Sequence, residues 1–375
     1  MTRAPRPRPV AAVTVIAALV LAACGSGEEA TTADASGFPE SAAAEDDDGG
    51  LKLLEWEGYQ DKMFHPSFAK DFADNELQYQ YASAGSEFFS KIQAGGAEVD
   101  IAHPCANWIA DYVREDLVAP IDVERLSNWE DVDKQQAELG KIDGKYYYVP
   151  WDWGYESLIV NTETVPGGKV PGSWADMWDP AYEGEISMEN FGEGAVRMAA
   201  LAMDLPYPDL DEAQLEQVKQ KLVELGPNIR TLWDASTDLV QQMDSGDVSI
   251  GFGWNDQYAK IKDGGTPVTY INPTEGRTGW SCGFVVMKST KHYDLALEYI
   301  DSALAPEACT AAINEYFLGC SNTAALEQAD PATVKALELD RADVIASTHF
   351  AEPLTPEQRT SFNQIWSEVT AGYGG

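Results

Sequence analysis

The sequence predicts an α/β protein whose largely parallel sheet carries helices on its faces. Three observations carry that expectation. From Leu51 onward, short apolar runs alternate with segments of helical spacing. Glycine and proline stops separate these segments. The 375 residues, 44% of them hydrophobic and 11 of them Trp, offer enough apolar surface for a large core.

The first fifty residues read as address and tether. Arg3, Arg6 and Arg8 precede an uninterrupted small and apolar run from Val10 to Ala23. That run is shorter than the roughly 20 residues a bilayer span needs and has the shape of a signal peptide, residues 1–23. Its end, Leu21-Ala22-Ala23-Cys24-Gly25, resembles the lipobox of bacterial lipoproteins, which implies cleavage before Cys24 and lipidation of that residue. Residues 24–50 read as a lipid-anchored, disordered acidic linker. Gly25 to Gly50 holds eight acids and no Lys or Arg, too little apolar surface to offset its ordering entropy. The run Glu45-Asp46-Asp47-Asp48 lacks the glycine and bidentate glutamate of a calcium loop and reads as solvated.

The globular elements follow in order. Leu51 to Trp56 reads as a strand, and Asp61 to Phe72 as a helix with apolar spacing at Met63, Phe64, Phe68 and Phe72. Leu77 to Tyr81 alternates like a strand, and Phe88 to Gln93 is helical up to Gly95-Gly96. A short strand, 99–102, runs into His103-Pro104-Cys105. Further strands are expected at 186–188, 249–253, 269–271 and 283–287, with helices at 194–203, 210–225, 295–303 and 306–317. From Pro331 to Val369 the chain reads as mostly helical, with a joint at Pro353 and Pro356.

The formal charge of −37, from 62 acidic and 25 basic residues, repels phosphate backbones and argues against a nucleic-acid partner. Removal of residues 1–23 leaves 22 basic groups against the same 62 acids, or −40. The four His form no metal-spaced pair, and no Gly-rich Lys-Ser/Thr phosphate cradle exists. No metal and no cofactor is expected.

Aromatic clusters at Trp56/Tyr59, Trp108, Trp151/Trp153/Tyr155, Trp254/Tyr258 and Trp280 lie beside glycine or polar turn residues after strands, where such sheets present ligand sites. A single ring of this kind is more often core than site. Several converging, with few basic groups, suit a cation or the apolar stem of an amine.

Trp56-Glu57-Gly58-Tyr59 resembles the opening motif of the spermidine/putrescine-binding proteins of bacterial uptake transporters. So do Tyr148 to Gly154, Ser173 to Trp178, Tyr182-Glu183-Gly184, Gly246 to Asn255, Gly264 to Val268, and Gly279-Trp280, in family order from Leu51 to Ala325. The resemblance implies a two-lobed, type II periplasmic-binding-protein-like fold with the ligand cleft between hinge-linked lobes. It implies lobe 1 from 51–148 plus 281–325 and lobe 2 from 149–280 plus 326–375. It also implies a small-molecule ligand, docking on ABC permease subunits, and no enzymatic activity. An extracytoplasmic, membrane-anchored monomer is expected.

The family positions carry over as Trp56 and Tyr59 in the cleft, Cys105 for a serine, Asn107 for a tyrosine, and Trp254 and Trp280 as rings on the ligand. Cys282 falls where polyamine binders place an aspartate, and Cys320 near a tyrosine. Glu189-Asn190-Phe191-Gly192-Glu193 stands where an Asp-x-x-Glu pair is usual. Replacement carboxylates are available at Glu57, Asp152, Glu156, Glu189, Glu193 and Asp256, all expected in loops. With Trp108 and Trp153, these complete the candidate site. A smaller amine cation than spermidine would fit an aromatic box with one or two acids.

Four cysteines remain besides Cys24, and an even count in an exported protein favours disulfides. The family match favours Cys105–Cys282, on one lobe beside the cleft, and Cys309–Cys320 closes a short helix-to-turn loop; Cys282–Cys320 stays open. Other readings are a quaternary-amine, amino-acid-derivative or ferric-ion binder, with Tyr146-Tyr147-Tyr148 as phenolate source. A secreted hydrolase or lyase using Glu189 or Asp256 is a further reading.

Overall fold

The computed structural model describes residues 37–95 and 98–373. The expected signal peptide, Cys24 and the linker up to Ser36 lie outside them.

Twelve strands share one sheet, which has two wings. In the first, Leu51–Glu55 pairs in parallel with Leu77–Tyr81 and with Ile101–Ala102. In the second, Ile186–Glu189 pairs in parallel with Ile229–Trp233 and Ile250–Trp254. Two long strands join the wings. Val149–Asn161 runs antiparallel to both Ile250–Trp254 and Thr278–Met287. The return strand, Thr278–Met287, then continues to pair antiparallel with Ile101–Ala102 and Val118–Ala119. The expected parallel sheet is therefore mixed: parallel within each wing, antiparallel where the chain crosses.

Sequence reading missed the long strand. All thirteen residues of Val149–Asn161 are buried, so no polar face gives the alternation that marks a half-buried strand. Its aromatic and β-branched content suits a strand. Pro150, which has no N–H to give a ladder, sits near the start, opposite Gly283, where the register shifts between Cys282 and Gly283.

The expected helix over 61–72 divides into a 3₁₀ turn, Lys62–Phe64, and an α-helix, Pro66–Asp71. Pro66 disfavours helical geometry in His65, whose φ and ψ are −148° and 58°. The C-terminal segment breaks into Pro331–Ala336, Ala342–Ala346, the two-residue strand His349–Phe350 and the helix Pro356–Thr370. The last begins with Pro at its first turn and a Thr355/Gln358 capping box. It packs against the helix Gly192–Ala202, whose first nine residues are all buried.

The described part of the acidic linker, 37–50, is docked on the body. Phe38 stacks on Tyr293 with ring centroids 6.3 Å apart, Ala44 is buried, and an Asp47 oxygen lies 2.8 Å from His292 Nδ1. Asn75 donates to the carbonyls of Asp47 and Gly49. The leash expectation fails here because composition does not reveal one ring and one imidazole waiting on the body.

The structure joins Cys105 to Cys282 and Cys309 to Cys320. Their sequence separations are 177 and 11 residues; loop-closure entropy assigns about 5 and about 3 kcal/mol to such loops. Replacing Cys105 and Cys282 by Ala should therefore lower stability in denaturant by about 2 kcal/mol more than replacing Cys309 and Cys320. Equal losses from the two pairs would remove the entropic account.

Candidate ligand-binding site

The site is organised by the register of the two long strands. Asp152 pairs with Cys282 on one side and Cys320 on the other; Gly154 pairs with Trp280, and Glu156 with Thr278 and Trp254. A period of two sends residues 152, 154 and 156 to one side of the strand. Gly154 is required there: a Cβ would lie 2.7 Å from the Trp280 ring and 2.6 Å from Asn255 Oδ1. Absence of that side chain lets the indole lie down on the junction.

At the first wing, Glu55, His103 and Asp152 form a buried chain. His103 Nδ1 is 2.8 Å from Glu55 Oε2, and its Nε2 is 3.0 Å from Asp152 Oδ1. Burial alone would drive the imidazole neutral. The carboxylates at both ring nitrogens outweigh it and push the His103 pKa up to about 10. Only the imidazolium can donate to both. Burial also raises Glu55, against the pull of that imidazolium. Two expected rings grip this chain: Tyr59 donates to Asp152 Oδ2 at 3.0 Å, and Trp56 Nε1 donates to the His103 carbonyl at 2.8 Å.

At the second wing, the helix Gly192–Ala202 presents Glu193 and Arg197 one turn apart. Arg197 pairs with Glu156 and donates to the Gly279 carbonyl at 3.0 Å. Glu193 accepts from Asn107 Nδ2 at 2.7 Å and pairs with Arg359 of the C-terminal helix. Glu189, at the end of its strand, has its pKa pushed up to about 8, first by burial and then by the Glu156 carboxylate. The Trp254 indole and the Arg197 charge pull it back down.

Trp56, Tyr59, Trp108, Trp254 and Trp280 are each half-buried. Trp153 is instead a core ring, 4% exposed and packed on Tyr155 and Phe350, because strand alternation turns it away from Asp152. Glu57 is solvent-exposed in the turn after the first strand. Asp256 is held by Lys260 of its own helix at 2.8 Å. Cys105, half-buried, meets the site through its bond to Cys282. The loop assignment holds only for Glu57. Asp152 and Glu156 are on a strand, Glu189 ends one, and Glu193 and Asp256 open helices.

Sequence reading missed Glu55, His103, Arg197 and Arg359. The Glu193/Arg197 spacing was a local signal; Arg359 lies 166 residues from Glu193 and had none. A hollow of about 630 Å³, lined among others by Gln135, Glu138, Glu275 and His349, touches none of the expected site residues. Among the described residues no cluster of His, Cys, Asp and Glu is placed to hold a metal, and no helix is long and apolar enough to cross a membrane.

A family model described as "Bacterial extracellular solute-binding protein" matches residues 65–339. The spermidine/putrescine-binding periplasmic protein of Escherichia coli K12 is 24% identical over 267 residues, covering 71% of this chain and 76% of the relative. A putrescine/cadaverine-binding protein of Pseudomonas aeruginosa is 23% identical over 309 residues, covering 78% and 86%. The substrate-binding protein PotD of a Streptococcus pneumoniae spermidine/putrescine ABC transporter, solved with calcium and HEPES, superposes with TM-score 0.72 at 23% identity, over 86% of this chain and 99% of that one. The fold is thus that of the two-lobed, type II periplasmic-binding-protein-like proteins.

Because the His103 pKa is raised from 6.5 to about 10, its stabilisation is complete below pH 6.5 and lost as pH climbs through about 10. The stability gap between the parent and His103→Gln, measured in denaturant, should therefore shrink steadily from pH 6.5 to pH 10. A gap that is constant across this window would exclude the imidazolium.

Proposed function

The chain belongs to the bacterial extracellular solute-binding proteins, and from that premise we propose that it captures a small amine cation between its lobes and delivers it to an ABC permease. What supports this reading is the set of half-buried rings Trp56, Tyr59, Trp108, Trp254 and Trp280, carried by elements of both wings and the return strand, with the buried carboxyl of Glu189 on the second wing. Ring faces attract a cation and cover the stem of an amine; a carboxylate supplies its counter-charge. The relatives in Escherichia coli and Pseudomonas aeruginosa, named for binding polyamines, support the same ligand class.

Cys282 stands where polyamine binders carry an aspartate and is tied up with Cys105; its strand neighbour Asp152 is already paired with His103 and Tyr59, so Glu189 is the carboxylate left for the cation. Lobe 1 comprises 51–148 plus 281–325 and lobe 2 comprises 149–280 plus 326–375. The protein acts outside the cytoplasm as a monomer held at the membrane through lipidated Cys24, after loss of residues 1–23.

A thermal-shift screen with putrescine, spermidine, choline, betaine, 4-aminobutyrate and ferric citrate tests the ligand class; a rise in Tm is expected with at least one amine. No shift with any amine rejects it. Trp254→Ala should weaken the binding found by at least about tenfold in calorimetry, through lost stacking and cation attraction; unchanged affinity moves the pocket elsewhere. An ammonium beside Glu189 favours its ionised form, and that group titrates at about 8 in the free protein. Binding therefore releases a proton, and the Kd should fall at least about tenfold between pH 6 and pH 8. A pH-independent Kd would take Glu189 out of the site.

A further inference from the structure

Arg359 sits where a cationic guest would sit. Its guanidinium carbon lies 3.6 Å from the Trp108 ring centroid, and the side chain pairs with Glu193 through Nη1. Nη2 donates to the Asn107 carbonyl at 2.6 Å and to Asp111 Oδ2 at 3.2 Å. The residue is 8% exposed. Three of these partners, Asn107, Trp108 and Glu193, are residues that the sequence assigns to the ligand. An aromatic face, two carboxylates and a carbonyl around one cation are the groups that recognise the head of an amine ligand. Here the chain's own side chain fills them.

We propose that Arg359 is a built-in occupant of a cation subsite and thereby the residue that limits ligand length: the cleft left free takes a short amine, and a longer one finds its terminal subsite filled. The Asp111 carboxylate is shared with Arg114, whose Nη1 is 2.7 Å from Oδ1, so the two acids and two guanidinium groups balance. A further anion gains little there, and removing Arg359 leaves Glu193 uncompensated in a covered site.

The inference rests on the cleft reading above, and the test separates the two. Full-length protein carrying Arg359→Ala should have a lower Tm, which methylguanidinium restores; tetramethylammonium or sodium chloride at the same concentration should not. The parent protein should show no such response to methylguanidinium. In calorimetry the parent should prefer putrescine to spermidine, and Arg359→Ala should move that ratio at least about tenfold toward spermidine. Arg359→Gln, which keeps much of the length and one pair of N–H donors, gives the same readouts if the Ala variant does not fold. No rescue and an unchanged ratio would reduce Arg359 to a tie between the wings and overturn the proposal. If methylguanidinium rescues the variant but the parent binds no amine, the subsite stands and the amine ligand falls.

Discussion

Compensation of buried carboxylates at the wing junction is the constraint on which the rest of the structure depends. Glu55, Asp152, Glu156 and Glu193 are each at most 5% exposed, and an isolated carboxylate in such a place costs several kcal/mol. Each is met by a cation from a different stretch of chain: His103 serves two, Arg197 the third and Arg359 the fourth. These pairings reach across long sequence distances, so they form only when both long strands and the C-terminal helix are in place. A chain so rich in acid thus places three of its buried cations, His103, Arg197 and Arg359, where the two wings meet.

The fold was legible where burial is one-sided. The strand Leu77–Tyr81 and the helix Glu212–Leu225 fall close to their expected places, because pattern and caps agree; Leu51–Glu55, though covered on both faces, is a short apolar run that still reads as a strand. The long strand was not legible, since a residue run covered on both faces carries no period. The docked stretch 38–50 was hidden for another reason: Phe38 and Asp47 are single partners of Tyr293 and His292, and composition averages over them.

The site was legible in part. Ring positions followed from the motif order, and Trp56, Tyr59, Trp108, Trp254 and Trp280 are half-buried and not sealed in the core. Trp153 was misjudged because its neighbour Asp152 faces the other way, a one-residue difference that strand geometry decides. His103 looked isolated in sequence, yet its partners stand 48 and 49 positions away. No spacing rule connects such residues; only the pairing of Leu54 with Ala102 brings Glu55 beside His103.

The return strand has a property that bears on motion. Cys282 is covalently part of the first wing through Cys105, while Gly279 already carries the carbonyl held by Arg197 of the second. The chain between those two attachments is short, and Gly154 of the adjoining strand faces it, paired with Trp280. Any turning of one half against the other would pass through torsions here and in the paired crossing strand Val149–Asn161, a pivot and not a sliding seam. Trp280 stands on that stretch, so a molecule resting on its indole would bear directly on the torsions any such turning must use.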